Sequence, residues 1–302
     1  MGAALEQTSQ SLGRKIGATA WATLVAFAIL FVGQAIWSGL LAANFRNSPR
    51  AAPWSVLAMA VVLWAGWTYL GGSWWPPKTS QARRRGRRAN PVSATGFLLS
   101  LLAGVLAMVA LAGCWIVFFQ LAKTPANALG DPSKYPLLTI VLLVLMSSLV
   151  SPIVEEIAFR GYCQQILERH FSGTVAVLLS SLLFMLAHAN HGWYWTKLSV
   201  YFLAGIVLGA IARLTNSILT SLPVHIFGDL TFFTLIWPRD ASRVLVSAGG
   251  ADPWFWAHVV QAVVFAGLAI LAFGRLAKVQ ADGGVAPGTS PSSARIVDPT
   301  HK

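Results

Sequence analysis

The chain has 302 residues, of which 56% are hydrophobic and only 11% are charged, with a formal net charge of +12. Soluble domains carry about twice that share of charged residues, so this composition argues against a soluble protein and indicates a membrane protein. The excess of positive charge is explained by membrane topology without any nucleic-acid partner, and we expect the lipid bilayer to be the chain's main surroundings.

Eight apolar segments approach the roughly 20 residues that a membrane-spanning helix needs. The sequence therefore predicts an all-α, polytopic membrane helix bundle of about eight transmembrane helices. Their expected ranges are 16–43, 53–71, 95–120, 136–159, 174–188, 195–214, 218–237 and 254–274. The fifth segment is the shortest. The two cysteines, Cys114 and Cys163, fall in these segments without CxxC spacing, so neither a disulfide framework nor a thiolate zinc site is indicated.

The first two segments are joined to the third by a strongly basic loop. It contains Lys78, Arg83, Arg84, Arg85, Arg87 and Arg88. Placing this loop in the cytoplasm, with both termini inside, puts 15 of the 22 Lys and Arg residues in inner segments and 7 outside. This asymmetry is typical of the positive-inside rule, so we predict an N-in, C-in protein of the cell membrane. Residues 1–94 form an expected N-terminal two-helix region with this basic cytoplasmic loop.

The fourth segment ends in an unusual group of charged residues. Glu155 and Glu156 follow an apolar run, and Arg160 lies one helical turn after Glu156, on nearly the same face. This spacing predicts an ion pair between Glu156 and Arg160, while Glu155 points elsewhere and stays free for chemistry. Pro152 removes a backbone hydrogen bond and is expected to kink the helix and open space beside it. An interfacial ion pair at a helix end is the simpler alternative.

Two later segments add polar side chains of the same kind. The fifth segment has Phe184 and His188 one turn apart, and the seventh has His225 and Asp229 with the same spacing. A single buried histidine is usually a hydrogen-bonded packing residue, and a buried aspartate is rarer. Carboxylates and imidazoles on three separate apolar helices are harder to explain by packing, so we expect one common site. Three histidines near segment ends are left out of it: His170, His191 and His258.

Beyond the eighth segment, residues 279–302 are rich in Gly, Pro, Ser and Thr and have no apolar period, so a disordered cytoplasmic tail is expected. Residues 95–278 then form the functional core. Because the fourth segment ends inside in this topology, we expect the active site near the cytoplasmic leaflet.

The motifs Glu155-Glu156-x-x-x-Arg160, Phe184-x-x-x-His188 and His225-x-x-x-Asp229, in this order, resemble those of the CPBP (Abi-type) intramembrane proteases. That family includes the type II CAAX prenyl endopeptidases. The resemblance implies an endopeptidase that cuts a membrane-associated protein or peptide. It implies that Glu155 and His188 hold and deprotonate a water molecule, and that His225 and Asp229 either position this water or stabilise the oxyanion. Many members of the family have Asn where this chain has Asp229.

The same four residues could instead bind a zinc ion that activates the water. Two imidazoles and two carboxylates, from Glu155, His188, His225 and Asp229, are a possible ligand set, and metalloprotease is a common label in the family. The sequence has no HExxH motif, and it leaves metal-free and zinc-dependent hydrolysis equally open. Two other functions are also open: a non-catalytic membrane immunity or scaffold protein of the same fold, and a proton-coupled transporter, because buried Glu, His and Asp also form proton relays.

Overall fold

A computed structural model describes residues 2–47, 53–127 and 134–282, with side chains from residue 12 onwards. Within these residues the regular secondary structure is helical, without strands. The α-helices are α1 (Gly2–Asn47), α2 (Trp54–Leu70), α3 (Ser80–Arg87), α4 (Ala94–Leu121), α5 (Leu137–Glu155), α6 (Gln164–Glu168), α7 (Gly173–Ala187), α8 (Trp195–Thr215), α9 (Ile218–Thr231), α10 (Val246–Gly249) and α11 (Pro253–Asp282).

Six helical stretches among the described residues are long and apolar enough to cross a membrane. They are Leu12–Asn47, Ala94–Leu121, Leu137–Glu168, Trp195–Thr215, Ile218–Ser242 and Pro253–Asp282. Two of the eight expected spans form shorter apolar helices instead, α2 with 17 residues and α7 with 15. A polytopic helical membrane protein is thus confirmed, and the count of eight spans stays a prediction.

The fourth segment does not end near Phe159, as the sequence suggested. After α5, a π-helical segment (Glu156–Cys163) leads without a break into α6, so the helical stretch reaches Glu168. Glu155 therefore lies 13 residues before that end, about 20 Å at 1.5 Å per residue. The π-helical segment begins one turn after Pro152. In many proteins such π-helical turns lie at functional sites.

The π-helical segment is central to the bundle, because α1, α3, α6, α7, α8 and α9 all pack against it. Two apolar clusters lie on either side. The first includes Trp37, Val154 and Phe184, and the second includes Trp115 and Val224. The first cluster is built from α1, α2, α5, α7 and the π-helical segment, and the second from α4, α8 and α9. The functional side chains lie where these two clusters meet.

The basic loop has a structural role that its charge alone did not indicate. Its helix α3 packs against the π-helical segment, and Arg88 is only 3% exposed. The Arg88 guanidinium lies 3.1 Å from Glu168 and donates to the Asn216 side chain, while its carbonyl accepts from the Ile218 amide. The buried Arg83 donates to backbone carbonyls around the end of α2. Arg87 donates to the Trp67 carbonyl of α2, so three of the six cations tie the loop to the bundle.

The two ends of the chain pack against or extend the central helices. Helix α1, the first helix of the expected N-terminal two-helix region, packs directly against α5 and the π-helical segment. At the other end, α11 continues to Asp282, beyond the expected start of the tail at 279, because the apolar helix does not stop at the first polar residues. The remaining part of the expected tail, 283–302, lies outside the described residues.

Candidate active site

The four residues expected to carry chemistry line one cavity. Glu155, His188, His225 and Asp229 come from α5, the end of α7 and α9, and they face a space of about 610 Å³. Glu156 and Arg160 lie behind them, with exposed fractions of 0% and 1%. The structure therefore brings together all six polar residues that the sequence singled out.

The two carboxylate oxygens of Glu155 have different surroundings: one accepts a hydrogen bond, and the other has no donor among the described residues. Its Oε1 accepts a hydrogen bond of 2.5 Å from the Ser151 hydroxyl, one turn earlier on α5. Its Oε2 is buried and has no hydrogen-bond partner. That free oxygen lies 3.6 Å from His225 Nε2 and 3.9 Å from His188 Nε2. A buried carboxylate oxygen without a donor is unusual, because leaving it unsatisfied is costly.

His188 presents one nitrogen to the same space. Its Nδ1 lies 2.9 Å from the Phe184 carbonyl oxygen, which accepts hydrogen bonds and cannot donate them. The Nδ1 atom must therefore carry the proton, and in the neutral ring Nε2 is left as an acceptor that faces Glu155. The Phe184 ring packs against the imidazole at 4.6 Å between centroids. Phe184 thus positions His188 with both its backbone and its side chain.

Glu156 forms the predicted ion pair with Arg160, at 3.3 Å between Arg160 Nη1 and Glu156 Oε1. Glu156 also accepts a hydrogen bond from the buried Ser221 hydroxyl. Arg160 stacks over the Phe184 ring at 4.3 Å, a cation–π contact that adds to the ion pair. Both charged groups are buried, so their attraction offsets part of the free-energy cost of removing each of them from water.

His225 joins the two glutamates, contrary to the expectation that they point in different directions. Its Nδ1 lies 3.1 Å from Glu156 Oε1, and its Nε2 faces Glu155 Oε2 at 3.6 Å. Each carboxylate reaches a different nitrogen of the ring, so two adjacent helix positions share one partner. Asp229 approaches the same Nε2 at 3.8 Å and is 24% exposed to the cavity side.

The zinc alternative depends on how its four expected ligands are placed. Their neighbouring atoms lie 3.6–3.9 Å apart, from His188 through Glu155 and His225 to Asp229. Ligand atoms at about 2.0–2.3 Å from one zinc ion lie about 3.3–3.8 Å from each other, so these spacings alone do not exclude a metal. Among the described residues, no group of three or more His, Cys, Asp and Glu side chains is placed so that it could hold one metal ion.

Several residues around the site were missed or left out by sequence reasoning. Gln34 of α1 donates to the Ser151 hydroxyl at 3.1 Å. His191, which was excluded, lines the cavity, and its Nδ1 lies 2.8 Å from the Tyr201 hydroxyl. Burial lowers the pKa of His191 to about 4, so its ring is neutral near pH 7. The Tyr201 ring in turn stacks on His188 at 4.3 Å.

The cavity is mostly apolar and lies on the side of Glu155 away from α3. Its walls include Phe27, Phe31, Trp37, Met108, Leu111, Trp115, Phe233 and Trp237. The first three belong to α1, so the N-terminal helix forms part of the site. Glu155 also lies well inside its helical stretch, so the expectation of a site near the cytoplasmic leaflet loses its original support. The position of the site relative to the two leaflets stays a prediction.

Comparison with known proteins gives one match. A family model described as "Type II CAAX prenyl endopeptidase Rce1-like" matches residues 137–231, from the start of α5 to the end of α9. The matched range contains all three motifs and every polar residue of the site except those contributed by α1. No curated protein and no solved structure matched the chain. Residues 137–231 therefore match the Rce1-like type II CAAX prenyl endopeptidases, a family of membrane proteases, as the motifs predicted.

Proposed function

We propose that the chain is an intramembrane endopeptidase that hydrolyses a peptide bond in a membrane-associated protein or peptide, with Glu155 as the general base. The observation that carries the proposal is the buried Glu155 Oε2 atom, which has no hydrogen-bond partner and faces two imidazoles across a cavity. A general base needs such a free, oriented acceptor within reach of its proton donor. The family match supports protease chemistry at this place in the chain.

In the first step, Glu155 and His188 bind and activate a water molecule. Glu155 Oε2 and His188 Nε2 are both acceptors and lie 3.9 Å apart, so one water can donate a hydrogen to each. Its oxygen lone pairs then point away from both groups, towards a substrate carbonyl in the cavity. As the water oxygen bonds to the carbonyl carbon, one of its protons passes to Glu155 Oε2.

In the second step, His225 stabilises the negative charge on the former carbonyl oxygen. A His225 ring protonated at both nitrogens donates Nδ1–H to Glu156 and has Nε2–H free for the oxyanion. Asp229 orients and balances this ring from 3.8 Å. Glu155 then gives its proton to the amide nitrogen, the carbon–nitrogen bond breaks, and the products are a carboxyl group and an amine.

Glu156 and Arg160 act behind the reacting groups. Their ion pair, together with the Ser221 hydrogen bond, fixes the carboxylate that holds His225 Nδ1. The proposal gives zinc no part in the reaction, because no group of three or more His, Cys, Asp and Glu side chains among the described residues is placed to hold one metal ion.

The cavity suits an extended peptide with apolar side chains or an attached lipid. Its volume of about 610 Å³ is in the usual range for ligand pockets, and its walls are largely aromatic and aliphatic. Whether the substrate is prenylated is a separate part of the proposal, which rests on the family description.

The decisive experiment uses the full chain purified in lipid nanodiscs and two matched pools of synthetic peptides, with and without S-farnesyl cysteine. Mass spectrometry of the products identifies any cleaved bond. We expect wild-type cleavage and a drop of about 10²–10⁴-fold in kcat/KM for Glu155→Gln, which keeps the shape but removes the basic oxygen. Ser148→Ala is the matched control, since Ser148 is buried on the same helix but does not line the cavity.

The other functions predict different results. A non-catalytic scaffold gives no product in either pool, and its biological activity survives Glu155→Gln. A proton-coupled transporter gives pH-dependent flux in sealed vesicles without cleavage. Elemental analysis of the purified protein and addition of a chelator address zinc, and full activity without bound metal is the expected result. Loss of activity on chelation that added zinc restores would contradict the metal-free mechanism.

A further inference from the structure

A chain of hydrogen bonds runs from α1 to the proposed base. Gln34 Nε2 donates to Ser151 Oγ at 3.1 Å, and Ser151 Oγ donates to Glu155 Oε1 at 2.5 Å. Gln34 and Ser151 are 117 residues apart in the sequence. The contact therefore depends on the packing of two separate helices, and it is the polar link by which α1 reaches Glu155.

The direction of both hydrogen bonds is fixed by chemistry. A carboxylate can only accept, so the single Ser151 proton points to Glu155, and the hydroxyl oxygen must accept from Gln34. Each donor polarises the next, and the hydrogen bond that ends on a charge is strengthened. Oε1 is thus occupied, while Oε2 is left as the oxygen that faces His188 and His225.

The backbone geometry of α1 brings Gln34 to this place. A Cβ atom on the neighbouring Gly33 would lie 2.6 Å from a methyl group of Val154, so only glycine lets α1 approach α5 this closely. Val154 directly precedes Glu155. Close contact of the two helices and the hydrogen bond to Ser151 therefore occur at the same level of the bundle.

We propose that Gln34 and Ser151 are positioning residues that fix the Glu155 carboxylate, so that α1 is a working part of the active site although it lies outside the family match at 137–231. This inference rests on the proposed function, because it assigns the orientation of the base. Neither residue transfers a proton in the reaction, and both act through Glu155.

The test measures kcat, KM and the pH dependence of kcat/KM for the full chain on a peptide cleaved by the wild type. Ser151→Ala is expected to lower kcat about tenfold with little change in KM, the effect of losing one hydrogen bond to a charged group. The acidic limb of its pH profile should move to higher pH, since the ionised carboxylate loses a donor. Ser151→Thr keeps the hydroxyl and should restore activity to within about threefold of wild type.

The contribution of α1 is tested with Gln34→Met, which keeps the length of the side chain but cannot donate. We expect about a threefold loss in kcat, and the double variant Gln34→Met/Ser151→Ala should be no slower than Ser151→Ala alone, because residues in one network are not additive. Ser148→Ala is the control for serine loss on α5. If Ser151→Ala does not fold, Ser151→Cys replaces it, as a thiol of similar size is a weaker donor.

The outcomes separate this inference from the proposed function. If Glu155→Gln abolishes cleavage while Ser151→Ala keeps the wild-type kcat and pH profile, the positioning role is wrong and the proposed function stands. A raised KM with unchanged kcat would also overturn it, since the residues would then contact substrate. If Glu155→Gln cleaves as fast as the wild type, the proposed function fails and the inference fails with it.

Discussion

The two adjacent glutamates of the site differ in what surrounds them. Glu156 is completely buried and is bonded to Arg160, Ser221 and His225, whereas Glu155 keeps one oxygen without a donor. The same residue type at neighbouring positions is therefore expected to serve stability in one case and chemistry in the other. This difference can be measured.

Replacing Glu156 by alanine is expected to destabilise the protein, because Arg160 would be left buried and unpaired. Breaking a buried ion pair costs about 3–5 kcal/mol. Thermal unfolding in detergent, followed by tryptophan fluorescence, should show a clearly lower midpoint for Glu156→Ala. Glu155 has no Arg or Lys partner among the described residues, so Glu155→Gln should unfold close to the wild-type temperature. Equal midpoints for Glu156→Ala and the wild type would contradict this assignment.

Asp229 ends the third motif, where the resemblance allows either Asp or Asn. Its carboxylate lies 3.8 Å from His225 Nε2 and lines the cavity. Asp229→Asn has the same size and gains a donor for the oxyanion, so we expect kcat to stay within about threefold of wild type. Asp229→Leu can neither orient His225 nor donate, and a loss of about 10²-fold is expected from the same peptide assay. Similar rates for Asp229→Leu and wild type would remove Asp229 from the site.

At this scale the sequence predicted the charged residues and the Glu156–Arg160 ion pair, but not the uncharged partners. Glu155, Arg160 and His188 stand out because charge and imidazole are rare in apolar helices. Gln34, Ser151 and Tyr201 do not stand out, since uncharged polar side chains are common in membrane helices and often bond to their own backbone. Thr19 and Thr23 of α1 do so here. Which serine meets a carboxylate depends on the packing of distant helices.

At the scale of helices, the approach of α1 to α5 is the feature most sensitive to substitution. Gly33→Val would place methyl groups into Val154, and one of the two helices would have to move. Because Gln34 is the next residue, this movement should break its hydrogen bond to Ser151 and reduce kcat by a factor similar to that of Gln34→Met. Gly39→Val on the same helix, where a Cβ meets nothing within 4 Å, is the control. Equal activity of both variants and wild type would show that the contact tolerates displacement.

Helix type is where sequence reasoning failed locally. The segment after Glu155 was correctly expected to be helical, and the spacing of Glu156 and Arg160 correctly indicated an ion pair. The sequence indicated neither the π-helical segment nor the shared partner of the two glutamates. Both reach His225 because they contact different nitrogens of its ring, Glu156 at Nδ1 and Glu155 at Nε2.

For the whole molecule, the open question is orientation in the membrane. Helices α2 and α7 are about 26 and 22 Å long at 1.5 Å per residue, less than the roughly 30 Å hydrocarbon core, so apolar composition alone does not define how deep they lie. The positive-inside rule predicts the overall orientation, since Arg and Lys are concentrated around α3.

Single-cysteine labelling can test this orientation. With Cys114 and Cys163 replaced by alanine, Gln81→Cys on α3 should react with an impermeant thiol reagent only from the cytoplasmic side. Ala251→Cys, exposed just before α11, should react only from the outside. The opposite labelling pattern would show that the bundle has the inverted orientation, with the cavity side of Glu155 facing the cytoplasm.

The central claim, that Glu155 activates water for direct attack on a peptide bond, is tested most directly by a single turnover in ¹⁸O-labelled water. Excess protein is mixed with one peptide that it cleaves, and both product and protein are analysed by mass spectrometry. We predict one ¹⁸O atom in the new carboxyl group, none in the Glu155 side chain, and no cleavage by Glu155→Gln. An ¹⁸O label in Glu155 with an unlabelled product would instead show nucleophilic attack by the carboxylate, and cleavage by Glu155→Gln at the wild-type rate would contradict any role of Glu155 in the chemistry.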